Sequence, residues 1–287
     1  MAEPDQRLSL DPYSPAEMAQ KASTVGVAKA RLDFASTFAL AVLAGAFIGL
    51  GAMFSTVVGT DTGLGYGATR LLVGLAFCLG LVLVVVGGAE LFTGNNLIVM
   101  AWVGGQASTA ELARNWAIVY LGNLAGAVAT GVGVYWSGVW ALAGHKVGAT
   151  ALAIALAKVN LPWSEALMRG VYCNALVCLA VWLAYSARTT TDKILCVLFP
   201  ITAFVAAGFE HSVANMYFIP MGLFLRGHAD VVTAAGKAAG GLGSLTWVSF
   251  FWENLLPVTI GNIIGGSAMV GLVYWFVYLR KRAAGAS

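Results

Sequence analysis

Residues 122–136 read GNLAGAVATGVGVYW, and residues 261–275 read GNIIGGSAMVGLVYW. Both fit G-N-x2-G-x7-V-Y-W without a gap. A second match precedes each of them. Gly88-Ala89-Glu90 with Asn95, and Gly208-Phe209-Glu210 with Asn215, both fit G-x-E-x4-N. Two motifs recurring in the same order mark the chain as two copies of one unit.

The field around these motifs is apolar. Of 287 residues, 59% are hydrophobic and 10% are charged, against about 25% charged in an ordinary soluble domain. This argues against a soluble fold. The net charge of +3 is too small, and the basic residues too scattered, for a nucleic-acid partner. A bilayer core needs about 20 apolar residues in helical form. Candidate spans run over 34–59, 71–103, 116–136, 166–187, 194–225 and 255–278. The second is interrupted at Glu90 and the fifth at Glu210–Asn215. The sequence thus predicts an all-α membrane protein with six transmembrane helices, the second and fifth broken. Repeat one covers 34–137 and repeat two covers 164–280. Three spans per unit oblige the second unit to insert upside down, an inverted repeat whose broken helices mark a path near the midplane. A non-helical backbone at that depth survives only inside protein or beside a wet cavity. The freed helix N-termini favour anions.

Loop lysines and arginines set the orientation. Ten fall on the side of the N-terminus, the 2–3 and 4–5 loops and the C-terminus. Five (Arg70, Lys146, Lys158, Arg226, Lys237) fall on the other. Both termini are therefore predicted to be cytoplasmic, as a segment 1–33, a single channel domain 34–280 and a tail 281–287. Ser14-Pro15-Ala16-Glu17 reads as a capping box with proline at the first helical position, and predicts a helix over Pro15–Arg31 lying on the membrane face. Ser108…Glu111 reads as a second helix start. Gly122, Gly126, Gly261 and Gly265 would let the third and sixth helices pack closely. Cys78, Cys173, Cys178 and Cys196 sit in apolar runs without metal-type spacing, so neither a metal nor a cofactor is expected.

Ionisable groups at membrane depth each need a reason. Glu90 and Glu210 hold equivalent places. They are either proton carriers or, as preferred here, anchors whose carboxylates accept backbone N–H groups of the broken segments. Asn123 and Asn262 are expected to serve the same loops. His211 faces Leu91 in the repeat and so has no copy. A lone imidazole in an apolar tunnel can switch charge or can be a satisfied core group, and its place in the break favours function. Thr93, Ser212 and Asn174 are its candidate partners. Lys158 either draws anions into a vestibule or snorkels to water.

The stretches GAELFTGNNLIV (88–99), CNALVCLAVW (173–182), GFEHSVANMYFIPMG (208–222) and PVTIGNIIGG (257–266) resemble the formate/nitrite transporter family over nearly the whole chain. The resemblance implies an aquaporin-like protomer in the bacterial inner membrane and a homopentamer with a pore in each protomer. It assigns the central histidine to His211, the vestibule lysine to Lys158, and the polar partners to Thr93 and Asn174. One hydrophobic slit would be Phe77, Leu81 and Leu91, the other Phe204 and Val177, with a flexible loop at Leu91–Asn95. Lys158 would concentrate the anion. A proton from or through His211 would neutralise it before the slits, whose apolar walls exclude larger ions and hydrated cations. The 11–18 and 216–222 runs look more like the formate branch, the 90–94 and 155–158 runs more like the nitrite branch. Formate is the favoured substrate, nitrite the alternative, and hydrosulfide or lactate lie within the family.

Two rival classes fit less well. A neutral-solute aquaglyceroporin carries two Asn-Pro-Ala boxes, absent here. A haem-carrying membrane subunit needs axial ligands within helices, yet His145 and His228 fall in predicted loops. No enzymatic motif is present.

Overall fold

The computed structural model describes residues 11–280. The expectations for residues 1–10 and for the tail 281–287, including Arg7, Lys281 and Arg282 of the charge count, lie outside the described residues, as does the Lys237 side chain. The described chain is helical: α1 Pro15–Arg31, α2 Phe34–Val58, α3 Tyr66–Gly87, α4 Gly94–Val103, α5 Thr109–Trp136, α6 Lys146–Val159, α7 Trp163–Ser186, α8 Thr190–Ala206, α9 Ser212–Leu225, α10 Ala229–Ala235 and α11 Trp247–Tyr278. Five of these, α2, α3, α5, α7 and α11, are each long and apolar enough to cross a membrane. The fifth span read from the sequence is divided between α8 and α9.

Local chemistry sets the boundaries. Ser14 and Glu17 exchange hydrogen bonds as a capping box at the start of α1, and Ser108 and Glu111 do the same for α5. The two breaks begin alike. Gly88 after α3 and Gly208 after α8 both lie in the left-handed region, at φ 77° and 75°, where a glycine carries no Cβ penalty. Helix resumes at Ser212 in the second break, so Asn215 lies within α9 and not in the interruption. The first break is longer, and α4 opens with a 3-10 turn over Gly94–Ile98. The last helix winds wider, in π fashion, over Phe250–Leu255 and Ile264–Leu272.

The glycines of the repeated motif work within each half. A Cβ on Gly122 or Gly126 would strike Ala41 or Val42 of α2, and one on Gly261 or Gly265 would strike Leu167 or Val171 of α7. Thus α5 packs on α2 and α11 on α7, which gives the third and sixth spans their close neighbours. Backbones that approach this closely gain dispersion contacts in a setting where lipid supplies no hydrophobic drive. The main core then runs through the middle of the molecule, from Ile48 and Phe77 to Phe204, Met216 and Phe250.

Candidate functional site

Each break is held by a set of side chains that recurs in the other half. At the first, Glu90 accepts from Lys29 Nζ at 2.7 Å and from Asn95 Nδ2 at 2.6 Å. Asn95 Nδ2 also donates to Asn115 Oδ1, and Asn115 Nδ2 to the Lys29 carbonyl. At the second, Glu210 accepts from Lys158 Nζ at 2.9 and 3.1 Å and from Asn215 Nδ2 at 2.7 Å. Asn215 Nδ2 donates to Asn254 Oδ1, and Asn254 Nδ2 to the Lys158 carbonyl. The carboxylates therefore accept from side chains, not from the backbone N–H groups expected from sequence. Glu90 and Glu210 are about 5% and 4% exposed, and a buried charge needs such a partner to be tolerable. The backbone of each break is tied instead by the motif asparagine. Asn123 accepts from Phe92 N–H and donates to the Glu90 carbonyl. Asn262 accepts from Ser212 N–H and donates to the Glu210 carbonyl.

The correspondence reaches beyond the limits 34–137 and 164–280. It includes Lys29 on α1 and Lys158 on α6, helices left outside the repeat in the sequence reading. A signal was available: Ala28-Lys29-x2-Leu32-x-Phe34 matches Ala157-Lys158-x2-Leu161-x-Trp163. Asn115 and Asn254 were also missed, because single asparagines in apolar helices carry no local motif. Lys158 does not snorkel to bulk water, since its side chain is 14% exposed and paired with Glu210.

The central residues break this symmetry. His211 Nε2 lies 2.9 Å from Thr93 Oγ1, joining the two breaks. His211 Nδ1 accepts from the Ala214 N–H, capping α9. Nδ1 is thereby an acceptor, so the neutral ring carries its proton on Nε2 and donates it to Thr93. Leu91 and Val213 stand where a symmetric pair would have stood. Of the other candidate partners, Asn174 donates to Asn96 Oδ1 and the Asn262 carbonyl. It packs against Gly266, where a Cβ would strike it. Ser212 Oγ has no hydrogen-bond partner. Neither bonds His211.

Two cavities approach this centre. One, of about 230 Å³, is lined by Lys29, Leu81, Glu90, Leu91, Asn95 and Tyr185 among others. The other, of about 340 Å³, is lined by Arg70, Phe77, Lys158, Phe204, Glu210 and His211 among others. The apolar residues group differently from the sequence expectation. Phe77 stands with Phe204, ring centroids 5.6 Å apart and edge to face, on the His211 side. Leu81 and Leu91 stand on the other. Val177 is buried in the core between helices. Phe204 also stacks over the His211 ring at 6.0 Å.

Membrane-length helices, two tied-down breaks and a cavity on each side of one buried imidazole define a membrane transport protein rather than an enzyme. The chain belongs to the formate/nitrite transporter family, whose model matches residues 16–276. It is 44% identical over 270 residues to the formate channel FocA of Escherichia coli K12, covering 93% of this chain and 95% of that one. It is 40% identical over 285 residues to a probable formate transporter of Methanothermobacter thermautotrophicus, covering 93% and 98%. Among solved structures, a pentameric formate channel with formate bound superposes with a TM-score of 0.80 at 42% identity, covering 86% of this chain and 98% of that one.

Proposed function

We propose that this protein carries formate across the bacterial inner membrane, with passage linked to a proton at His211. The reading rests on one observation above the rest: the Nε2–H of His211 donates to Thr93 between two cavities, each holding a lysine. The names of its relatives supply formate as the substrate. Nitrite, a planar anion of similar size favoured by the 90–94 and 155–158 runs, is the second reading.

The chemistry follows from solvation. An anion leaving water for an apolar constriction loses its hydration, and its proton affinity rises. The Lys158 side chain and the positive N-terminal end of α9 draw the anion inward. A proton from water, taken at Nδ1 in place of the Ala214 bond, makes the ring an imidazolium whose Nε2–H turns from Thr93 to the anion. The Nε2 proton passes to the carboxylate oxygen, and the neutral acid crosses the aromatic and aliphatic constrictions. The ring then exchanges with water and returns to its Nε2–H form.

Six crossings in two inverted repeats accord with α2, α3–α4, α5, α7, α8–α9 and α11 forming an aquaporin-like channel domain over 34–280, with both termini cytoplasmic. Assembly as a homopentamer follows the solved relative, a pentameric channel, and the two cavities within this one chain support a pore in each protomer. Glu90, Glu210, Asn123 and Asn262 serve as anchors. Thr93, Asn174, Lys158, Leu81, Leu91, Phe77, Phe204, Val177 and His211 form or support the path.

The test is flux of formate and nitrite into proteoliposomes across a range of external pH, with His211→Asn alongside. Formate flux that rises as pH falls in the wild type, and not in the variant, supports the proposal. Equal flux through both proteins at every pH would sink it.

A further inference from the structure

The two cavities differ in charge, since only the one on the His211 side is also lined by arginines, Arg70 and Arg169. Lys29 and Lys158 are each paired with a glutamate, and Arg169 with Glu165. Arg70, half-buried in the same cavity as Lys158 and His211, has no carboxylate partner among the described residues. Its Nε donates to the Ala206 carbonyl at 3.0 Å and its Nη2 to the Val205 carbonyl. Both carbonyls belong to the last turn of α8, where helix geometry leaves too few intrahelical donors, and the Val205 carbonyl also accepts from the Gly208 N–H. The guanidinium lies beside Gly208, 3.7 Å from where a Cβ would stand. Nη1 makes no hydrogen bond with the protein among the described residues.

Capping α8 accounts for two of the five guanidinium N–H groups. It leaves a planar donor edge, already fixed in place, in a cavity whose lysine charge is offset by Glu210. A fixed guanidinium edge matches an anion with two coplanar oxygens, whereas an ammonium offers a point charge with no such preference. Holding the fork beforehand also lowers the entropy lost on binding.

We propose that Arg70 selects planar two-oxygen anions, a carboxylate or nitrite, in the cavity on the His211 side, taking them on its Nη1 edge before they reach Lys158 and His211. This rests on the reading of that cavity as an anion entrance. It adds a residue that discriminates by shape to a cavity whose lysine, Lys158, is held in a pair with Glu210.

The experiment compares wild type, Arg70→Lys and Arg70→Gln in proteoliposomes, with formate and with hydrosulfide, an anion without paired oxygens. A lost charge-assisted bond in a wet cavity should raise the half-saturating formate concentration roughly threefold to tenfold in both variants. Arg70→Lys should leave hydrosulfide transport as in the wild type. Formate transport by Arg70→Lys that matches the wild type, or an equal loss for both anions, overturns the proposal. Because Arg70 also caps α8, a second measurement uses the wild-type protein alone. Phenylglyoxal modification of Arg70, read by peptide mass spectrometry, should be slowed by formate or nitrite and not by chloride. Modification indifferent to formate and nitrite also overturns it. Should the wild type transport neither formate nor hydrosulfide, the functional reading fails, and the protection measurement still decides the role of Arg70.

Discussion

Thr93 and His211, 118 residues apart, meet at 2.9 Å and join the two helix breaks through a single side-chain hydrogen bond. Both are buried. Removing one partner of a buried bond leaves the other unsatisfied, at about 1–3 kcal/mol. Thr93→Ala should therefore lower both the thermal midpoint of the purified protein and its formate flux, while Thr93→Ser should restore both. Equal behaviour of the two variants would show that the Thr93 methyl, and not its hydroxyl, matters.

The paired lysines make a prediction about stability. Lys158→Met strands Glu210 in a buried site, and truncating one partner of a buried pair costs about 3–5 kcal/mol. The double variant Lys158→Met with Glu210→Gln should recover much of that loss. Lys29→Met with Glu90→Gln should behave in the same way on the other side. Thermal unfolding in detergent reads both cycles. Additive losses in the double variants would refute the coupling.

Close helix packing is tested by glycine substitution. Alanine at Gly126 or Gly265 drives a methyl into the Val42 or Val171 carbonyl, so either should lower stability by about 1–3 kcal/mol, as overpacking does. Gly133→Ala meets nothing within 4 Å and should be neutral or slightly stabilising. The comparison needs only expression yield and melting of the three variants.

The start of α1 should respond to acid. The Ser14 hydroxyl, and then the Ser14 N–H, hold the Glu17 carboxyl below its ordinary value. A carboxylate whose pKa is lower in the folded state stabilises at pH above its unfolded value and loses that effect as pH falls through the folded one. Amides in the first turn of α1 should exchange faster at pH 3 than at neutral pH once intrinsic rates are divided out. Glu17→Gln should abolish the difference.

Much of the architecture was legible because it rests on local rules. The capping box at Ser14 and Glu17 and the span of α1 follow from neighbours in sequence. The breaks at Glu90 and Glu210 were visible because charge is rare in an apolar run. The asparagine partners of these glutamates, Asn95 and Asn215, were visible in the same motif, but the pairing with lysines was not. Lys29 and Lys158 lie on separate helices, and Asn115 and Asn254 are single polar residues whose purpose appears only when helices are brought together. The pairing of Phe77 with Phe204 was hidden for the same reason, since no local pattern says which aromatic rings meet across a cavity.

The sequence by itself determined the class of the protein. Hydropathy marks a chain with membrane-length helices, repeated glycines and acid–amide motifs mark two copies of one unit, and each can be read residue by residue. Only the tertiary structure decided which residues share a cavity and which proton His211 holds. The bond from Ala214 to Nδ1 leaves the proton on Nε2, facing Thr93. Charge balance and tautomer depend on distances of about 3 Å between residues far apart in the chain, and those distances exist only after the helices have packed.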